Sequence, residues 1–134
     1  MKTFQHEVKY YECDRMGITH HSNYIRIMEE ARVDWMDQLG YGFDRMEAEG
    51  VVSPVVSVEC SYKQPTTFKD MIEVEVTLAE MSALKITFSY TMRANGNVVC
   101  TGRSVHCFME NGRAVVFAKR FPQLYEAIRR LPAD

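Results

Sequence analysis

The segment CDRMGITHHSNY, residues 13 to 24, gathers an acid, a glycine, two adjacent histidines and an asparagine. The Asp14 carboxylate can draw a proton from water as a general base, or attack an electrophile directly. His21 carries the side chain that changes charge near neutral pH, so it can orient the acid, orient a substrate or move a proton. Gly17 lets the loop turn tightly and approach a ligand without a Cβ. An Asp ahead of a helix is commonly a turn or cap residue, but Asp14 lies too far upstream of the next helix to cap it directly. Asp14 and the histidine pair sit in one loop without a distant fourth ligand, a poor match to a zinc site, so no metal is expected. His20 is expected to face solvent and His106 to be a satisfied strand residue, while His6 carries no pattern.

The elements around this segment follow from periodicity. Thr3 to Tyr11 alternates weakly and reads as a strand. From about Asn23 to Leu39, Tyr24, Ile27, Met28, Ala31, Trp35 and Leu39 recur at spacings of three and four, the period of a helix. Ser22 or His21 offers its cap, and Gly40 ends it. Ile25, Val33 and Met36 widen the apolar stripe, so this helix is expected to be wrapped by the rest of the chain. A short helix over about Phe43 to Glu49 stops at Gly50. The stretches Val56–Lys63, Ile72–Leu78 and Leu84–Arg93 alternate apolar and polar residues, as antiparallel strands with one wet face do. Asn95-Gly96 and Asn111-Gly112 read as hairpin turns. Between them, Val98 to Met109 is apolar on both faces, as a central or interface strand would be. A last helix is expected over about Pro122 to Leu131. The result is an α+β fold: five or six antiparallel strands curved around one long helix, in a single domain over residues 1–134.

Composition sets outer bounds. The chain has 134 residues, and its formal charge of -2 offers no general field for nucleic acid or an anionic membrane. MKTFQHEVKYYEC lacks the apolar core of a secretory signal, and no apolar run approaches the roughly 18 residues of a membrane span. Cys13, Cys60, Cys100 and Cys107 form no CxxC pair, so reduced thiols in a cytoplasm are expected.

The order strand, acidic loop, helix and antiparallel meander resembles the hotdog-fold acyl-CoA thioesterases of the 4-hydroxybenzoyl-CoA thioesterase type. Two segments carry the resemblance: Asp14, Gly17, His21, Asn23 and Tyr24 running into IRIMEEAR, and Tyr62-Lys63-Gln64-Pro65 followed by Asp70. It implies that Asp14 is the catalytic carboxylate and that the following helix points its N-terminus at the thioester carbonyl. It implies an acyl-CoA substrate, no cofactor, and a homodimer or homotetramer with sites shared between subunits. Such chemistry needs an activated water or nucleophile, which Asp14 supplies, and an oxyanion donor, for which the backbone N–H near His21 is the candidate. His21 is its possible second catalytic group, and Gly17, Asn23 and Tyr24 are substrate-binding candidates. CoA phosphates call for basic residues: Lys63 and Arg113 are the first candidates, with Lys69, Lys119 and Arg120 behind them. Some of Met28, Met81 and Met92 could line an acyl pocket, and Glu30 could face a partner's site.

Other readings stay open. A hydratase of the same fold pairs its Asp with a His in a DxNPxH-like motif, whereas Thr19 occupies that position here and Asn-Pro is absent. A thioesterase for acyl-carrier protein would meet the same phosphopantetheine arm. A binding module would hold acyl-CoA without consuming it.

Overall fold

The computed structural model describes residues 1–131, so the last three residues of the expected domain lie outside the described residues. In chain order the elements are β1 (Phe4–Glu7), α1 (Ser22–Gln38), α2 (Phe43–Ala48), β2 (Val51–Val52), β3 (Val55–Tyr62), β4 (Met71–Met81), β5 (Ile86–Ala94), β6 (Asn97–His106), β7 (Met109–Glu110), β8 (Arg113–Ala114), α3 (Phe117–Arg120) and α4 (Pro122–Arg129). Five strands form one antiparallel sheet in the order β1-β4-β5-β6-β3, and β2, β7 and β8 form a smaller second sheet.

Strand alternation decides which face of the large sheet is dry. Ile72 and Val74 on β4, with Phe88, Tyr90 and Met92 on β5, are buried, while Glu73, Thr91 and Arg93 point the other way. α1 lies on the apolar face. Its buried residues Tyr24, Ile27, Met28, Ala31, Trp35 and Met36 keep the expected spacing, and Trp35 meets Phe88 edge-on at 5.0 Å between ring centroids. The hairpin turns are where Asn-Gly places them, with φ of 54° and 78° at Asn95 and Gly96, and 51° and 75° at Asn111 and Gly112. Both residues of each pair are left-handed, which suits the twist of the flanking strands.

Three expectations need correction. α1 is not wrapped on all sides: Ile25 and Val33 are 45% and 39% exposed, because the sheet covers one side of the helix and Arg26, Glu29, Glu30 and Asp37 share the other with them. β1 stops at Glu7, and Tyr10–Glu12 is a 3-10 turn instead. The Glu12 carboxylate accepts the Lys9 N–H at 2.7 Å and so bends the chain back. The strand expected over Val98–Met109 breaks after His106, where the Cys107 N–H bonds the Pro54 carbonyl at 3.2 Å and Met109–Glu110 leaves to pair with β2. The final helix is preceded by the short α3, whose four residues are too few to show a period.

β1 and β3 are the edges of the large sheet. On β3, Val55, Val56 and Tyr62 are about half exposed, and such an edge presents unpaired backbone groups to a neighbour. Among the described residues, no helix is long and apolar enough to cross a membrane.

Candidate active site

Asp14 begins a tight loop that closes on itself. Its N–H bonds the Ile18 carbonyl at 2.9 Å, and its own carbonyl accepts the Gly17 N–H at 3.0 Å. Its Oδ1 accepts the Met16 N–H at 2.8 Å, an arrangement in which an Asp side chain imitates a backbone turn. Oδ2 has no hydrogen-bond partner among the described residues, so half of the carboxylate is left for other work. Gly17 sits at φ +78°, where a side chain would strain the backbone, although nothing lies within 4 Å of a Cβ built there.

The loop is tied to the segment between β3 and β4. The Thr19 N–H bonds the Thr66 carbonyl at 2.8 Å, and the two threonine hydroxyls meet at 2.6 Å. The Tyr24 hydroxyl joins Thr66 Oγ1 at 2.9 Å, and Thr67 Oγ1 donates to the Gly17 carbonyl at 2.7 Å. The Tyr62 hydroxyl donates to the His21 carbonyl at 3.2 Å. Asp70 holds the far turn by accepting the Thr67 N–H at 2.9 Å, with Lys69 at φ +73°. Burial pushes the Tyr24 phenol above its ordinary pKa, with the Thr66 hydrogen bond opposing, so it stays a neutral hydroxyl. Tyr62 is raised first by burial and then by the charge of Cys60.

α1 starts without a side-chain cap. His21 occupies the cap position, but its ring lies 4.2 Å from that of His20 and edge-on to Tyr62 at 6.1 Å. Ser22 Oγ is taken up by His20 Nδ1 at 2.8 Å. The Asn23 N–H bonds the His20 carbonyl at 3.0 Å and the Tyr24 N–H bonds the His21 carbonyl at 3.3 Å. The His21 N–H has no acceptor among the described residues. It is therefore a free donor at the positive end of the helix.

These pieces enclose a cleft of about 460 Å³ lined by Asp14, Met16, Ile18, Thr19, His21, Tyr24, Tyr62, Lys63, Gln64 and Pro65. On its other side Asp14 borders a second hollow of about 490 Å³, with Tyr10, Cys13, Arg15, Gly17, Thr67 and Phe68. The structure thus gathers Asp14, His21, Tyr24 and Lys63 around one opening and puts Gly17 on the neighbouring one. Asn23 is buried, its Nδ2 bonded to the Glu12 carbonyl at 2.9 Å, so it holds the loop. Arg113 lies on β8 and lines neither hollow. Arg120 is paired with Glu110 at 3.2 Å, and Glu30 lies 3.4 Å from His6 within the same chain. Thr66, Thr67 and Glu12 were missed. The Pro65-Thr66-Thr67 turn beside a recognised signature was the available signal for the first two.

The family model of the Thioesterase-like superfamily matches residues 8–130. The chain belongs to that superfamily. It is a thioester hydrolase with the hotdog fold. A relative from Aquifex aeolicus named "Putative esterase" is 34% identical over 87% of this chain and 91% of its own. "Putative acyl-CoA thioesterase YneP" of Bacillus subtilis is 29% identical over 92% of each. The solved DHNA-CoA thioesterase of Staphylococcus aureus superposes with a TM-score of 0.92 at 26% identity, covering 96% of this thioesterase-like chain and 89% of that one.

Proposed function

We propose that this thioesterase hydrolyses an acyl-CoA to the free acid and CoA at the cleft between Asp14 and the N-terminus of α1. One observation carries the reading: Asp14, with one carboxylate oxygen uncommitted, and His21, whose backbone N–H has no acceptor among the described residues, line the same cleft. In one route Asp14 takes a proton from water as the oxygen adds to the thioester carbonyl. In the other, Asp14 adds directly and water then cleaves the acyl-aspartyl anhydride. Either route develops an oxyanion that the His21 N–H can receive, helped by about half a positive charge from the helix. The tetrahedral species then expels CoA thiolate, a good leaving group, so His21 need not be a strong acid; its ring can orient substrate or carry the proton to sulfur.

The relatives named as an acyl-CoA thioesterase and a DHNA-CoA thioesterase support CoA as the leaving half. Lys63 at the cleft suits a phosphate of CoA. The exposed edge of β3 supports a homodimer in which two β3 strands pair, and the free cysteines fit a reducing cytoplasm.

The test is thiol release from short, long and aromatic acyl-CoAs, alongside the same acyl groups on acyl-carrier protein. Turnover of at least one acyl-CoA, inhibited competitively by free CoA, is expected. Turnover of carrier-protein thioesters alone would reassign the substrate, and binding of acyl-CoA without thiol release would make the protein a sensor.

A further inference from the structure

We infer that Glu12, clamped by His6, is the positioning residue that sets Asp14 against the N-terminus of α1; the inference rests on the hydrolysis proposed above. Glu12 is only 6% exposed. A buried carboxylate is costly unless hydrogen-bonded, and this one is held on two sides. Its Oε1 accepts the Lys9 N–H at 2.7 Å and lies 2.8 Å from His6 Nε2. The opposite nitrogen of the same ring, Nδ1, lies 3.4 Å from Glu30 Oε2 on α1. The ring therefore bridges the end of β1 to the helix.

The backbone of Glu12 makes the second half of the clamp. Its carbonyl accepts the His20 N–H at 2.8 Å and the Asn23 Nδ2–H at 2.9 Å. Asp14 follows this residue along one path of the chain, and His21, with its free N–H, follows His20 along the other. One residue thus fixes both banks of the cleft: the carboxylate side through chain continuity, and the donor side through two hydrogen bonds. Neither Glu12 nor His6 lines the cleft, so neither touches substrate. Their effect on the reaction runs through the distance between the two reacting groups, and a displacement of about 1 Å can cost on the order of a hundredfold in rate.

The experiment compares Glu12→Ala, Glu12→Gln and His6→Ala with wild type on whichever acyl-CoA the wild type hydrolyses, reading kcat and KM separately. Glu12→Ala is expected to lose about 30- to 100-fold in kcat with KM changed less than about threefold, because positioning acts on the chemical step. In Glu12→Gln the amide oxygen can take the place of Oε1 and accept both the Lys9 N–H and the His6 Nε2–H, so most of kcat should return. His6→Ala keeps the backbone clamp and should show the same pattern at about tenfold, which tests the account even where Glu12→Ala does not fold. A kcat within twofold of wild type in both alanine variants, a KM that moves in step with kcat, or no recovery in Glu12→Gln would each overturn the inference alone. A wild-type protein that releases no thiol from any acyl-CoA would overturn the hydrolysis reading, and this inference with it.

Discussion

The sulfur of Met28 on α1 lies 3.4 Å from that of Cys60 on β3, in the space that a side chain at position 102 would need. Gly102 on β6 is the direct partner of Cys60 across the strands. A Cβ built there falls 2.9 Å from Met28 Sδ and 3.2 Å from the Glu59 carbonyl oxygen. The missing side chain is what lets the helix sit close to the sheet, and the seating of α1 sets where its N-terminus meets the cleft.

Gly102→Val should therefore destabilise the fold by about 1 to 3 kcal/mol, the usual cost of overpacking a filled site. Met28 is flexible and the Glu59 backbone is not, so shortening Met28 relieves part of the clash. The double variant Gly102→Val/Met28→Ala should lose less stability than the sum of the single losses. Urea unfolding of the four proteins measures this; strict additivity would show that Met28 and position 102 do not compete for the same volume.

The fold was readable where a local pattern is long and repeats. The alternation on β4 and β5, the spacing of buried residues on α1 and the two Asn-Gly turns are each decided by neighbours in sequence. The loop residues Asp14 to Tyr24 were readable for the same reason, being adjacent. Contacts between distant segments were not. Thr19 and Thr66 lie far apart in sequence, and no local pattern announces that their hydroxyls will meet at 2.6 Å. His6 showed nothing until Glu12 and Glu30 were placed around it. β2, β7 and β8 have two residues each, too few to display any period, and Arg113 travelled with them away from the cleft. The exposed Ile25 and Val33 misled because an apolar stripe reports where burial is possible, not whether something covers it.

A second buried polar group controls the acid limb of stability. His106 Nε2 meets Ser104 Oγ at 2.7 Å, Ser104 meets the Tyr90 hydroxyl at 2.6 Å, and Arg32 donates to that hydroxyl at 3.2 Å. Burial first, and then the Arg32 charge, push His106 down to about 4 from its ordinary 6.5. The folded protein keeps this ring neutral, while the unfolded chain takes up a proton as the pH falls through 6.5. The contribution is thus fully present above that pH and is lost as the pH falls towards about 4, to a total on the order of 3 kcal/mol. Urea unfolding across this range should show a shallower fall for His106→Gln than for wild type. Equal slopes would mean that His106 is not the group responsible.

The proposed hydrolysis depends first on Asp14. Asparagine at this position can still accept the Met16 N–H through its side-chain oxygen, so the loop should keep its turn and the protein its melting temperature. It can neither take a proton from water nor attack the carbonyl, and loss of a general base or nucleophile typically costs about a hundredfold to ten-thousandfold in rate. The decisive measurement is thiol release by Asp14→Asn at saturating acyl-CoA, on the best substrate of the wild type. The account predicts a kcat at least about a hundredfold lower in a folded protein that still binds CoA. A kcat within a few-fold of wild type would contradict it and move the chemistry away from Asp14.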